Sequence, residues 1–501
     1  MNCSQSILRL HPNDNVAVAL APLHAGADLG GYAVGSDVPA GHKVACNALE
    51  TGAPVVKFGQ LIGRATQRIH PGEHVHAHNL SFETGDIFAP VDDRKALALP
   101  EPTRTVFRGY VRPDGRVGTR NFVGILASVN CSASVCHAIA ARANAELLPG
   151  LQNIDGFVPL VHDHGCGMQS SGEGFEALLR VLKGYRDHPN FGGVLIVGLG
   201  CEVNQVTLYK PTNWRDARIS TLNIQETSGS ASAVAVALGK LSLISKAANE
   251  DMRTECPVSK LTLGMQCGGS DALSGITANP ALGVASDILV GNGGTSILSE
   301  TPEIFGAQHL LLHRSNAMTG RKIEGFLHWW KNYAAKNGAT LDNNPSPGNK
   351  RGGLTTILEK SLGAVAKAGQ SPLTNAYAYA ERIDTSGLVY MDSPGYDPVA
   401  ATGQVAAGAN LIAFTTGRGS CFGAKPAPSL KIASNGGLAQ SMPEEIDVDA
   451  GPIATGAVSI ASKGLEIFER LIDLANGEKS KSEMFGYGDL EFVPWKIGAT
   501  L

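Results

Sequence analysis

Two periods of apolar residues run through this chain. Over residues 7–90 the apolar stretches are short and alternate with polar positions, as in 15–20 and 55–58, and Gly41, Gly52, Gly59, Gly63 and Gly72 separate them. Period-two runs between turn residues predict a small β-rich unit with little helix. From Thr105 onward, fully apolar runs alternate with stretches of three-to-four spacing. Strands are expected at 121–128, 157–161, 193–197, 222–224, 261–265, 294–298, 388–391 and 411–414. Helices are expected at 133–148, 175–185, 228–249, 304–312, 322–337 and 464–475. Continuous apolar strands alternating with helices imply mostly parallel sheets covered on both faces.

The stretch 91–105 carries two prolines and mixed charge without periodicity, and reads as a linker. The division expected is a β-rich domain over 1–92, a linker over 93–104, a first α/β domain over 105–250 and a second over 251–501. The fold class expected is therefore an α/β catalytic region in two parts behind a small β-rich domain.

Composition narrows the function. Among 501 residues there are 60 Gly, a surplus that suits turns and ligand-approach loops. A net charge of −4 argues against a nucleic-acid partner. No apolar run of the length a membrane span needs is expected, and residues 1–20 lack a basic-then-apolar leader pattern. The nine Cys are odd in number and form no C-x-x-C pair, which suits reduced thiols in the cytoplasm. The buried sheets also leave a homo-oligomer as an expectation.

The expected strand at 261–265 runs into Gln266, Cys267, two glycines, Ser270 and Asp271, the kind of Gly-rich turn where open α/β sheets place their chemistry. Cys131, Cys166 and Cys201 follow other expected strands in the same way. Thiolates gathered on one rim would select iron, an iron–sulfur cluster or zinc. Each of the four also reads, singly, as an inert buried thiol. His74, His76 and His78 at period two would share one strand face and form a second candidate metal site. Arg120, Lys350 and Arg418 are the expected anion binders. Asp163, Glu202, Asp271 and Glu300 are acids at strand ends, and Asp271 stands out among them. The glycines at 198 and 200 lack the rest of a dinucleotide fingerprint.

Several longer motifs resemble the altronate/galactarate dehydratase family. They are Asp14-Asn15, Gly41-His42-Lys43, the run from Gly72 through His74, His76 and His78 to Asn79, and the run from Asp114 to Arg120-Asn121. Gly198–Glu202, Gln266–Asp271, Ser274–Pro280 with Asn279, Asn344–Lys350 and Thr416–Gly419 complete the set. The resemblance implies an SAF-type N-terminal domain and removal of water from an aldonic or aldaric acid, giving a 2-keto-3-deoxy acid. It also implies ferrous iron, or manganese, as cofactor. The histidine run looks like the altronate branch, residues 258–272 look more like the galactarate branch, and His164 stands where a Tyr is expected.

The α-proton of a carboxylate is very weakly acidic and hydroxide is a poor leaving group, so such a site must stabilise negative charge and assist the departing oxygen. The arrangement expected is iron held by some of Cys131, Cys166, Cys201 and Cys267. His42, Lys43, His162 and Asp271 are the catalytic candidates. Arg120, Asn121, Ser270, Asn279, Lys350 and Arg418 are the substrate-binding candidates. Rival readings are a lyase for another hydroxy acid, such as a sulfonated one, and a non-catalytic sugar-acid binding protein.

Overall fold

The computed structural model describes residues 6–82, 98–210 and 217–500. Of the linker expected over 93–104, residues 93–97 lie outside them.

Seven short strands open the chain: β1 (Ile7–Leu8), β2 (Val16–Ala19), β3 (Lys43–Ala45), β4 (Pro54–Lys57), β5 (Gln60–Ala65), β6 (His74–Val75) and β7 (Leu80–Ser81). They form two antiparallel sheets, β1-β2-β3-β6 and β4-β5-β7. Glycine makes these tight returns possible. A side chain on Gly72, at φ +85°, would collide with the Ala33 carbonyl. The strand expected to carry three histidines ends at Val75. Residues 76–79 turn instead, because the Asn79 side chain accepts from His76 N at 2.9 Å and donates to His74 O at 2.9 Å.

Next come β8 (Val106–Val111), β9 (Val117–Gly118), β10 (Phe122–Ala127), β11 (Gly156–Leu160), β12 (Phe191–Gly198) and β13 (Ile219–Asn223). The last four make a parallel sheet in the order β11-β10-β12-β13. Every residue of β10, β11 and β12 is buried, as expected of strands covered on both faces. The helix Glu173–Arg186 packs Ala177, Leu178, Val181, Leu182 and Tyr185 inward, with acids in its first turn and bases in its last. The helix Ser230–Asn249 is long and apolar enough to cross a membrane by length and composition, contrary to the sequence expectation. Here it packs Ala233, Ala237, Leu241 and Ile244 into the core on this sheet.

Just past the boundary expected between the two α/β parts lies β14 (Arg253–Pro257), which pairs antiparallel with β8 and so stitches the two parts together. Then follow β15 (Thr262–Cys267), β16 (Thr295–Leu298), β17 (Leu373–Tyr377), β18 (Gly387–Met391), β19 (Leu411–Thr416), β20 (Ser429–Ala433) and β21 (Val448–Asp449). All seven are parallel, in the order β17-β18-β16-β15-β19-β20-β21. The helices Ala278–Gly291 and Ile460–Ala475 cover one face. On the other, the helix Asp397–Ala407 packs against the helix Glu173–Arg186 of the preceding part. β15 is the central strand, and the β-rich domain docks at its carboxyl end.

Candidate active site

At the end of β15 the chain turns through Gly269, at φ +61°, and buries Cys267, Ser270 and Asp271. The Cys267 sulfur lies 2.7 Å from Ser270 Oγ and 3.7 Å from Asn279 Nδ2. Burial pushes this thiol above its ordinary pKa, although the Lys367 ammonium opposes the rise. Asn279 is itself fixed, accepting from Thr415 Oγ1 at 2.6 Å and donating to Gly363 O at 2.9 Å. The Asp271 carboxylate accepts from Ser274 N, Ser274 Oγ and Ser434 Oγ at 2.8 Å each and from Asn435 Nδ2 at 3.1 Å. A Cβ on Gly417 would overlap the same carboxylate. Asp271 is thus an oriented anion in a close-fitted wall.

The β-rich domain contributes imidazoles. His42 Nε2 lies 3.1 Å from Arg351 O, and His76 Nε2 lies 2.8 Å from Lys350 O. Carbonyls only accept, so both rings carry their proton on Nε2. His42 Nδ1 must then accept from His74 Nε2, 3.0 Å away, which leaves lone pairs on Nδ1 of His74 and of His76. Ring centroids in this cluster are 4.9–5.4 Å apart. Burial lowers the pKa of all three, that of His74 to about 3, helped by its imidazole neighbours. The three rings are neutral at physiological pH. His78 is exposed, with its ring 5.4 Å from His74.

Behind them lies a charged seam. Lys43 Nζ donates to Glu359 at 2.9 and 3.1 Å and to Gly353 O at 2.7 Å, while Lys57 Nζ reaches Glu359 at 2.8 Å. All three side chains are buried. Burial alone would raise the Glu359 carboxyl, but the two ammonium groups more than reverse that and hold it far below the carboxylate range. Burial pushes Lys43 down to about 8 against the pull of Glu359.

Between the two domains is a cavity of about 590 Å³. Gly41, Asp271, Arg351, Gly352, Gly417, Arg418, Asn435 and Gly436 line it. The guanidinium groups of Arg351 and Arg418 are exposed and form no hydrogen bond or ion pair among the described residues. A glycine-lined cleft with two free guanidinium groups at a carboxyl sheet edge fits a carboxylate ligand.

Deeper, beyond Cys267, Lys360 Nζ donates to Glu303 at 2.6 Å and Lys367 Nζ to Glu300 at 3.1 Å, all four buried. Glu300 takes left-handed backbone, φ 76°, and its Oε1, like Glu303 Oε2, is buried without a partner among the described residues. Burial and the neighbouring Glu303 raise Glu300 to about 8 and Asp397 to about 6. The sequence reading singled out Glu300 but missed Lys57, Glu303, Glu359, Lys360, Lys367 and Asp397. The signal available was charge set inside apolar runs, as in Ile357-Leu358-Glu359-Lys360 and Ala366-Lys367-Ala368.

Other candidates fall elsewhere. Arg120, expected on the ligand edge, sits at the amino end of β10. It is spent on Glu483 at 2.8 and 2.9 Å and on three backbone carbonyls. Asn121 is fully buried and bonds Asn153 O, Ala248 O and Arg112. His162 is buried against Ala127 O at 3.0 Å, and burial lowers it to about 4. Lys350 lies in the last turn of a short helix, Pro347–Arg351; Asn349 ties that helix to Ser270 O at 2.8 Å.

Cys131, Cys166 and Cys201 are exposed on the loops after β10, β11 and β12, which are tied together by Asn130 N to His164 O and Asn204 N to Gly165 O, each 3.0 Å. Cys267 is buried on the other sheet. The four sulfurs therefore do not form one constellation, and among the described residues no group of three or more His, Cys, Asp or Glu is arranged to hold a metal ion.

The sheet edge, the docked β-rich domain and the cationic cleft together define an α/β enzyme acting on a small acidic molecule. Residues 5–83 match the altronate/galactarate dehydratase SAF domain, residues 109–249 the D-galactarate dehydratase/altronate hydrolase second domain, and residues 258–500 the D-galactarate/altronate dehydratase C-terminal domain. The altronate dehydratase of Bacillus subtilis is 35% identical over 506 residues, covering 99% of this chain and 100% of the relative. The altronate dehydratase of Escherichia coli is 36% identical, covering 99% of each. The galactarate dehydratase (L-threo-forming) of the same organism is 36% identical, covering 94% of this chain and 93% of the relative. The chain belongs to the altronate/galactarate dehydratase family of hydro-lyases.

Proposed function

We propose that this protein removes water from an aldonic acid such as D-altronate, giving a 2-keto-3-deoxy acid. The observation that carries the reading is the pair of guanidinium groups of Arg351 and Arg418, unpaired among the described residues, facing a glycine-lined cavity beside three neutral imidazoles. Arg418 and Arg351, with Lys350 nearby, grip the substrate carboxylate and stabilise the enediolate charge that develops on it. The His42–His74–His76 cluster takes the α-proton on a free Nδ1, and His42, bonded to both His74 and the Arg351 carbonyl, fixes its orientation. The imidazolium so formed gives that proton to the β-hydroxyl oxygen as its C–O bond breaks, water leaves, and the enol left behind ketonises to the 2-keto-3-deoxy acid. Asp271 aligns the wall that meets the sugar hydroxyls, with Ser270 and Asn279 behind it. The Lys43–Glu359–Lys57 seam holds the β-rich domain over the cleft and keeps water out.

Ferrous iron, which the family likeness implies, is not matched by the four-thiol set: three thiols are exposed on one sheet and the fourth is a buried thiol on another. All eight described cysteines are unbridged, which supports a reducing, cytoplasmic setting.

The test is to incubate the full chain with D-altronate, and separately with galactarate, plus ferrous iron under reduced oxygen, and to assay 2-keto acid. Product from altronate is expected. Product from galactarate alone would move the substrate to the aldaric acid, and binding of either acid without product would replace the enzyme reading with the binding-protein one.

A further inference from the structure

A second cleft, of about 350 Å³, lies at the opposite edge of the molecule. It opens at the amino ends of the strands: Val117 begins β9, Thr262 begins β15, and Asn410 precedes β19. The substrate cavity lies at the carboxyl ends, so the two clefts are separate. Its floor is the crossing of the helices Glu173–Arg186 and Asp397–Ala407. There a side chain on Gly184 would overlap the Ala406 backbone. Both α/β parts therefore supply its walls.

Five cations from four segments line it, Arg180 and Lys183 sharing one helix: Arg116, Arg180, Lys183, Lys260 and Arg382. The one acid in the lining, Asp187, is held by Arg186 through two bonds of 2.8 and 2.6 Å. Arg116 is paired with Asp114 at 2.6 Å. Arg180 uses only Nε, toward Tyr379 O at 2.8 Å, which leaves its terminal nitrogens open. The side chains of Lys183, Lys260 and Arg382 have no hydrogen bond or ion pair among the described residues. Lys183 lies in the last turn of its helix, where a base complements the dipole. That does not account for Arg180, a turn earlier on the same helix, or for Lys260 and Arg382, which come from the second α/β part and converge on the same space. Like charges gathered without a counter-ion repel one another. The chain as a whole carries net −4, so this is a local reversal of sign.

We propose that this cleft binds a small polyanion, a phosphate- or polycarboxylate-bearing metabolite, at a site separate from the substrate cavity. One anionic group is held by Arg180 and Lys183 from the first α/β part. The other is held by Arg382 and Lys260 from the second. A ligand spanning them clamps the two parts, and its volume suits a compact molecule.

Isothermal titration of the full chain with inorganic pyrophosphate, at physiological ionic strength, tests it. Saturable binding is expected, weakened at least about tenfold in a Lys183→Ala/Arg382→Ala double variant. That variant should turn over substrate at the parental rate, which shows that it is folded, and an Arg418→Ala variant should bind pyrophosphate as the parent does. Citrate, titrated in parallel, identifies whether phosphate or carboxylate oxygens are preferred. No binding of either probe to the parent would overturn the proposal. So would equal binding in the double variant, or binding lost in Arg418→Ala alone, which would place the anion in the substrate cavity.

Discussion

The ammonium of Lys43 and the carboxylate of Glu359 stand 316 residues apart in the chain and 2.9 Å apart in space, both without solvent exposure. The pair, completed by Lys57, is the charged contact between the β-rich domain and the catalytic part. A buried ion group of this kind is sensitive to the loss of one member, because the partners stay buried without compensation.

Glu359→Gln should accordingly destabilise the protein by roughly 3–5 kcal/mol, read from urea denaturation. The pH dependence has a definite sign. Glu359 is held below its unfolded value, so its contribution is complete above about pH 4.3 and is lost as pH falls below that. Parent and variant should converge in stability in acid; a constant gap down to strongly acidic pH would contradict the pairing.

Arg418→Ala should lower kcat/KM by roughly 10- to 100-fold, the effect of one charge-assisted bond, mostly through KM. Arg418→Lys should recover part of the loss. Steady-state kinetics with the sugar acid decide it, and an unchanged KM would remove Arg418 from the carboxylate site.

His42→Ala, which removes the ring that orients the proton-accepting imidazole, should reduce kcat by about 10²-fold. Because burial keeps His42, His74 and His76 unprotonated, the acid limb of the parental pH–rate profile should lie below about pH 6.5, the ordinary imidazole value. A limb at or above that value would point to a different base.

In the native protein, a thiol reagent should modify Cys131, Cys166, Cys201 and Cys421, which are exposed, well before Cys267. Peptide mapping after brief alkylation measures this. Early loss of Cys267 would mean that the β15 turn opens in solution.

The architecture was legible where local pattern decides it. Fully apolar runs gave β10 and β12, alternation at 261–265 gave β15, and crowded glycines gave the short antiparallel strands of the first domain. The site was legible only in part. Gln266–Asp271 announced itself as a turn with chemistry, because glycine beside a thiol, a hydroxyl and a carboxylate is visible in one glance at the chain. Glu359 did not, since its meaning lies in partners three hundred residues away. Arg120 misled for the same reason: its motif looks like a ligand loop, but the carboxylate it meets is Glu483, 363 residues on. The cysteines showed the limit of topology without register. Each follows a strand, yet Cys131, Cys166 and Cys201 belong to one sheet and Cys267 to another.

The seam at Lys43, Lys57 and Glu359 also bears on modularity. Its attraction is electrostatic and its members are divided cleanly, two cations on one side and one anion on the other. A polypeptide severed between the two would yield fragments with complementary faces, each incomplete alone. The first domain is thus held to the catalytic part by side chains as well as by the peptide chain that joins them.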